Sequence, residues 1–250
     1  MGSGSTIPIN YQYEFSAWIY KTLHFGNPEF TVWLHDKGYT RGKRSFKLFT
    51  FSNLEVGRFK VFKDRFKILS NEVQLVLTFH IEEAVQHFIT GLFQNRTLSI
   101  GDRKSNVDFS VKSVETLEKP EFFNHMEFIT LSPICVSKPT DKENGLGTTY
   151  LNPEHPEYQH RFFENLINRY KAVHPASDGK FEDESDFQLK LKNNPKSRLI
   201  KIKADTPQQT RIRGYMYDFE CKAPAELLQF GYEAGLGEKN SLGFGCVGVR

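Results

Sequence analysis

Each half of the 250-residue chain mixes strands with two helical segments, in an order that closes on helix then strand. That order predicts an α+β protein of two ferredoxin-like (RRM-like) β-α-β-β-α-β units in tandem. The length suits one large domain or two small ones. Both halves mix β-rich alternating runs with segments of helical period. Both also close on a helix followed by a strand. The reading places the first unit at residues 6–122 and the second at residues 123–250.

The opening "MGSGS" reads as a cloning remnant and stays outside the fold reasoning. No candidate for a first strand precedes Ile7, so that strand is expected to be missing. "IPINYQYEFSAWIYKTLH" sets Tyr13, Phe15, Trp18, Ile19 and Leu23 at helical spacing, with Asn10 as its cap. "NPEFTVWLHDKG" reads as a short helix starting at Asn27-Pro28 and stopping at Gly38. "FKLFTFSNL" has β character, "RFKVFKDRFKILS" reads as a hairpin, and "EVQLVLTFHI" reads as one strand. "EEAVQHFITGLFQN" gathers Ala84, Val85, Phe88, Ile89 and Leu92 on one helical face, and "VDFSVKSVETL" closes the half as a strand.

The second half opens on the strand "MEFITLSPICVS". "KPTDKENGLGTTYLNPEHPEY" is expected to be a polar loop, and "EYQHRFFENLINRYKAV" a helix. "HPASDGKFEDESD" reads as a loop. "FQLKLK" and "RLIKIK" alternate as strands, and "TRIRGYMYDFECKAP" reads as one long strand. "AELLQFGYEAG" is helical, and the chain ends on the strand "FGCVGV".

Hydrophobic content of 38% and charged content of 25% are ordinary for a globular protein, and 23 Phe with 10 Tyr supply a core. No apolar run has the length of a transmembrane helix, and no signal peptide is evident. Cys135, Cys221 and Cys246 are odd in number and far apart. They carry no metal-ligand spacing and predict no disulfide, which fits a reducing cytoplasm. The net charge of +3 alone predicts no nucleic acid, but the charge is segregated. Between Lys190 and Arg213 lie eight bases and one acid, Asp205. An RNA-facing surface and a merely solvated strand face both fit that bias.

The stretch "GLGEKNSLGFG" holds Gly235, Gly237, Gly243 and Gly245. A helix C-cap and turn would need one glycine. Four glycines around Lys239, Asn240 and Ser241 suggest backbone brought close to a phosphate. The spacing is not that of a Walker loop. On pattern alone, a plain turn and a phosphate-holding loop stand equal.

"GYEAGLGEKNSLGFGCVGV" resembles the C-terminal glycine-rich signature of the CRISPR-associated endoribonucleases that cut repeat transcripts into guide RNAs, the sixth Cas family of the RAMP superfamily. "IPINYQYEFSAWIYKTL" resembles that family's first helix, and "FKLFTFS" and "ITLSPICV" resemble its internal landmarks. The likeness runs from about Ile7 to Arg250. It implies the same tandem fold and metal-independent RNA cleavage. A ribose 2′-hydroxyl attacks the adjacent phosphate, leaving a 2′,3′-cyclic phosphate and a 5′-hydroxyl. It implies CRISPR repeat RNA as partner, no cofactor, no metal and no membrane. It leaves open a homodimer and association with other Cas proteins.

By matching motif, the resemblance places the catalytic residues at Tyr20 in "WIYKTL", His35 in "WLHDKG" and Lys47 in "FKLFTFS". His35 would be base or acid, Lys47 would steady the phosphorane charge, and Tyr20 would position the hydroxyl or give a proton. His24 competes with His35. His80 and His87 sit in apolar patterns and read as structural, while His155 and His160 read as surface residues. His125 and His174 stay open as loop candidates. The RNA-binding set comprises Lys201, Lys203, Arg211 and Arg213, with Gly235, Gly237, Lys239, Asn240, Ser241, Gly243 and Gly245 from the glycine loop. Lys201 and Lys203 are expected on one strand face. The competing reading is a catalytically inactive RNA-binding member of the same superfamily.

Overall fold

The computed structural model describes residues 6–250 except 143, 144, 182 and 184, so parts of "KPTDKENGLGTTY" and "FEDESD" lie outside the described residues. The N-terminal half begins with β1 (Thr6–Pro8), α1 (Gln12–Gly26) and α2 (Pro28–Asp36). The hairpin β2 (Tyr39–Arg41) and β3 (Arg44–Phe46) and the strand β4 (Phe49–Phe51) follow. After β5 (Glu55–Val56) come the hairpin β6 (Phe59–Phe62) and β7 (Arg65–Ile68), then β8 (Val73–Gln74) and β9 (Leu77–Phe79). The half closes with α3 (Glu82–Gln94) and the hairpin β10 (Thr97–Gly101) and β11 (Asn106–Ser110).

Several expectations change here. The first strand is present: β1 pairs antiparallel with β7, and Ile7 is fully buried. At three residues it is too short to show a period. Asn10 does not cap α1. Its Oδ1 accepts from the Lys201 backbone N–H at 3.1 Å, tying the two halves together. Asn27 does cap α2, accepting from the Phe30 N–H at 3.0 Å with Pro28 in the first turn. "EVQLVLTFHI" breaks into β8 and β9, which pair with β5 and β4 respectively. In "VDFSVKSVETL" only the first part is strand, and its partner β10 was not anticipated. The sheet of this half is therefore in pieces: β1-β7-β6, β4-β9, β5-β8 and β10-β11. Helices α1 and α3 lie against each other, and Ile7, Phe15, Ile19, Phe49, Phe51 and Phe88 are part of one core.

The C-terminal half carries β12 (His125–Thr130), α4 (Tyr158–Val173), β15 (Gln188–Leu191), β18 (Asp218–Lys222), α5 (Ala225–Ala234) and β19 (Val247–Val249). Hairpin β13 (Ser137–Lys142) and β14 (Gly145–Tyr150) is inserted after β12, where a loop was expected. Hairpin β16 (Lys196–Ile202) and β17 (Thr210–Met216) is inserted after β15. The sheet order is β15-β18-β12-β19 with every neighbour antiparallel, the ferredoxin-like arrangement. "TRIRGYMYDFECK" is two strands because the chain changes sheets at Tyr217. That residue is buried, with its hydroxyl 2.6 Å from the Tyr158 hydroxyl. α4 and α5 cover this sheet with Phe162, Leu166, Leu227 and Phe230, and Leu48 from the N-terminal half joins the same core.

Candidate active site

α1 carries Tyr20, the last turn of α2 carries His35, and Lys47 lies between β3 and β4. The fold brings the three together. The Tyr20 and His35 rings meet edge to face, with centroids 5.3 Å apart. The Lys47 ammonium donates to the His35 carbonyl at 2.8 Å and to Ser45 Oγ at 3.0 Å. His35 is 68% exposed, and its Nδ1 lies 2.8 Å from Asp36 Oδ1. A carboxylate there favours the tautomer with hydrogen on Nδ1, which leaves Nε2 as a lone-pair acceptor facing no protein partner among the described residues.

Tyr20 is half-buried, with its ring 5.5 Å from that of Phe49. Burial pushes its phenol far above the usual tyrosine range, and a hydrogen bond with Ser241 offsets part of this. It stays a phenol at neutral pH, able to donate. Burial lowers the Lys47 ammonium, and Asp36 nearby opposes the shift. Ser241 belongs to the glycine loop, so the C-terminal half reaches the trio from the far side. Between the halves lies a cleft of about 460 Å³ whose walls include Arg44, Lys47, Arg161, Arg169, Lys239 and Ser241.

The glycine loop is built differently from the phosphate cradle weighed in the sequence. Gly235, Gly237, Gly243 and Gly245 are all buried, with φ of 87°, 68°, 79° and 79°. A Cβ at Gly245 would lie 1.8 Å from the Leu236 carbonyl oxygen, and one at Gly243 would lie 2.5 Å from the Phe51 ring. The close approach that excludes side chains is therefore to the protein itself. Asn240 is also turned inward, its amide donating to the Leu236 and Phe244 carbonyls at 3.1 and 3.0 Å. Thr50 Oγ1 donates to the Phe244 carbonyl at 2.8 Å, fastening the loop to the N-terminal half. Lys239, at φ 61°, is exposed at the tip, and Ser241 is half-buried beside it.

Sequence reasoning missed Arg169. It is 2% exposed, and it donates to the Gly237 carbonyl at 2.8 Å, to Asn240 Oδ1 and to the Gly235 carbonyl. No carboxylate accompanies it among the described residues, and burial lowers its guanidinium from the usual arginine range. The signal was available: α4 buries Phe162, Leu166 and Tyr170 along one face, and an arginine in that stripe needs acceptors inside.

In the basic hairpin, Ile200, Ile202 and Ile212 point inward and pack with Cys135 and Phe244. Lys201 pairs with Arg211, and Arg213 pairs with Leu199, so Lys201, Arg211 and Arg213 share the outward face. Lys203 does not join them. The strand stops at Ile202, Lys203 turns at φ 50°, and its ammonium sits 5.4 Å from the Tyr13 ring centre. His24 is exposed at the end of α1 and makes no ring contact or hydrogen bond with the trio among the described residues. His80 pairs with Glu233 at 2.7 Å, His87 packs on Phe30, and His125 lies 3.7 Å from Glu220. His155 Nδ1 accepts from the Glu157 N–H at 3.1 Å, and the His174 ring packs tilted against Tyr170 with centroids 4.5 Å apart. The three cysteines are free and buried, and burial pushes each thiol up. No helix among the described residues is long and apolar enough to cross a membrane.

The tandem ferredoxin-like fold with an interdomain cleft rich in Arg and Lys defines a two-domain α+β class, and the comparisons narrow it to a family. The N-terminal model of CRISPR-associated protein Cas6 matches residues 6–115, and the C-terminal Cas6 model matches residues 117–249. The chain is 30% identical over 249 residues to the CRISPR-associated endoribonuclease Cas6 1 of Methanocaldococcus jannaschii, covering 97% of this chain and 87% of that protein. The solved structure of a Cas6-related gene product from Pyrococcus furiosus superposes with a TM-score of 0.84 at 27% identity, covering 100% of this chain and 94% of that one. A structure described as a RAMP protein binding different RNA substrates superposes at 0.82 with 25% identity, covering 100% and 95%. The chain belongs to the Cas6 family.

Proposed function

We propose that this protein is an endoribonuclease that binds CRISPR repeat RNA and cuts the precursor transcript into guide RNAs without a metal ion. The observation that carries the reading is the meeting of Tyr20, His35 and Lys47 at the edge of the interdomain cleft. Three side chains there supply what a 2′-hydroxyl attack needs. His35 Nε2 takes the proton from the attacking hydroxyl, its ring held by Asp36. Lys47, released from the His35 carbonyl, places its charge on the phosphorane oxygens. Tyr20, kept neutral by burial, donates a hydrogen bond to the phosphate or a proton to the leaving 5′-oxygen. The products are a 2′,3′-cyclic phosphate and a 5′-hydroxyl. Lys239 and Ser241 at the loop tip, with Lys201, Arg211 and Arg213 on the hairpin, contact the RNA backbone. The name of the M. jannaschii relative, an endoribonuclease, supports this reading. A cytoplasmic location, with three reduced thiols, belongs to the same proposal.

A second reading is binding without cleavage. It is favoured by the engagement of Lys47 with a backbone carbonyl rather than with the open cleft, and by the relative described only as RNA-binding. The test is incubation with the host's repeat RNA in EDTA, alongside His35→Ala and His24→Ala, on a denaturing gel. A single cut that survives EDTA and disappears only in His35→Ala supports the proposal. Tight binding with no cut moves the protein to the second reading.

A further inference from the structure

The hairpin β6–β7 lies outside the cleft and outside every role given so far. β6 is the open edge of its sheet. On that edge Phe59, Val61 and Phe62 are 49%, 54% and 69% exposed. Arg58, Lys60, Lys63 and Lys67 surround them and are exposed too. Among the described residues none of these four bases is in an ion pair. Two contacts order the aromatic rings. Phe59 stacks on Phe66 at 4.6 Å, and the Lys63 ammonium lies 5.6 Å from the centre of the Phe62 ring. The register puts Lys60 opposite Lys67 and Phe62 opposite Arg65, so Phe62 shares one face with Lys60 and Lys67. Lysine alone would guard an exposed sheet edge against pairing. Two open phenylalanines work against that purpose.

The hairpin is also fixed in place and joined to the other basic hairpin. Arg65 pairs with Asp102 at 2.8 Å and donates to Ser105 Oγ at 3.0 Å. Lys104 stands between the two tips, 4.0 Å from Asp64 and 3.3 Å from Asp205 in the turn after β16. Arg65 and Lys104 with Asp64, Asp102 and Asp205 thus form an ion-paired junction that holds the two hairpins together across the two halves.

We infer that the outward face of the β6–β7 hairpin is a stacking platform for single-stranded RNA, holding a nucleotide outside the cleft on Phe62 with Lys60, Lys63 and Lys67 on the phosphates. Aromatic rings among unpaired bases fit single-stranded nucleic acid, whose bases offer stacking faces and whose backbone is anionic. The inference rests on the RNA-binding reading above and extends it to a second surface.

The test uses the full chain, a fluorescent twelve-nucleotide oligouridine containing 4-thiouridine, and the host's repeat RNA in parallel. Phe62→Ala is expected to weaken oligouridine binding about tenfold, the loss of one base–aromatic stack. The combined Lys60→Ala and Lys63→Ala variant is expected to lower the salt slope by roughly 0.7 per lysine. Photo-crosslinks are expected in the peptide spanning residues 59–67. Unchanged affinity in Phe62→Ala with crosslinks elsewhere overturns the platform, while repeat RNA bound by the wild type keeps the functional reading standing. Unchanged RNA affinity with loss of self-association in sedimentation also overturns it, assigning the edge to protein contact. A wild type that binds neither RNA sinks both.

Discussion

The two halves share one strand-and-helix order but use it in opposite ways. The C-terminal half forms a continuous four-stranded antiparallel sheet, and its buried Arg169 holds the glycine loop from inside. The N-terminal half has its sheet in fragments, yet it presents Tyr20, His35 and Lys47 near solvent. One half supplies a rigid clamp and the other supplies titratable groups with room to move. The glycines belong to the clamp: they let backbone press on backbone and on Phe51, while Lys239 is exposed at the tip with half-buried Ser241 beside it. If this division is right, substitutions in the two halves should fail in different ways.

His35→Ala should break chemistry and spare the fold. The side chain is mostly exposed, so little packing is lost. Single-turnover cleavage should fall by about 10²–10⁴-fold, the usual loss for a general acid or base. Affinity for repeat RNA should change by less than about twofold, since phosphate contacts elsewhere carry binding. Equal loss of both would remove His35 from the chemistry. Arg169→Met should do the reverse. It strips the donors from two loop carbonyls and from Asn240, all inside the protein. The expected cost is about 3 kcal/mol in urea unfolding, for several buried acceptors left unmade. Gly245→Ala should cost at least ~1 kcal/mol, because alanine neither fits against the Leu236 carbonyl nor favours φ 79°. A stable Arg169→Met protein would mean that the loop holds itself.

The same division explains what the sequence disclosed. Helices α1 to α5, the hairpin β6–β7 and the strand β16 were legible because their apolar residues repeat over a long enough window, whereas β17 was read as one strand with β18 and its hairpin with β16 was not read. β1 was not legible, since three residues carry no period and its partner β7 is distant in the chain, and β10 was missed although Leu98 and Ile100 alternate with exposed residues beside its hairpin partner β11. The β13–β14 hairpin hid in polar composition, because its strand faces need no apolar stripe. The trio proposed as catalytic came from motif resemblance alone, and nothing in the spacing of Tyr20, His35 and Lys47 foretold a 5.3 Å ring contact. The glycine pattern was legible as a special loop. What it approaches was not, because a glycine records that a side chain is excluded without saying by what.

Lys47 offers a pH test of the N-terminal half. Burial lowers its folded pKa, so its charge is lost as pH rises through that lowered value, earlier than for a surface lysine. The cleavage rate should therefore fall on the alkaline side. Lys47→Arg, which keeps its charge, should move that fall to higher pH while slowing the neutral rate by less than about tenfold. An alkaline limb that stays in place would show that another group titrates there.

The smallest effect separates the loop tip from the loop frame. Lys239 is exposed at φ 61°, above buried glycines that reach no solvent. If the tip contacts phosphate, Lys239→Ala should weaken RNA binding only a few-fold and lower the log-affinity against log-salt slope by roughly 0.7, one phosphate's worth for single-stranded RNA. Stability should be unchanged within ~0.5 kcal/mol, as for an exposed side chain with no ion pair or side-chain hydrogen bond among the described residues. Arg211→Ala on the hairpin should behave likewise, because it too is exposed. An unchanged slope in Lys239→Ala with an altered slope in Arg211→Ala would confine RNA contact to the hairpin. The glycine loop would then be a structural clasp alone, acting on the reaction only through the Ser241 bond to Tyr20.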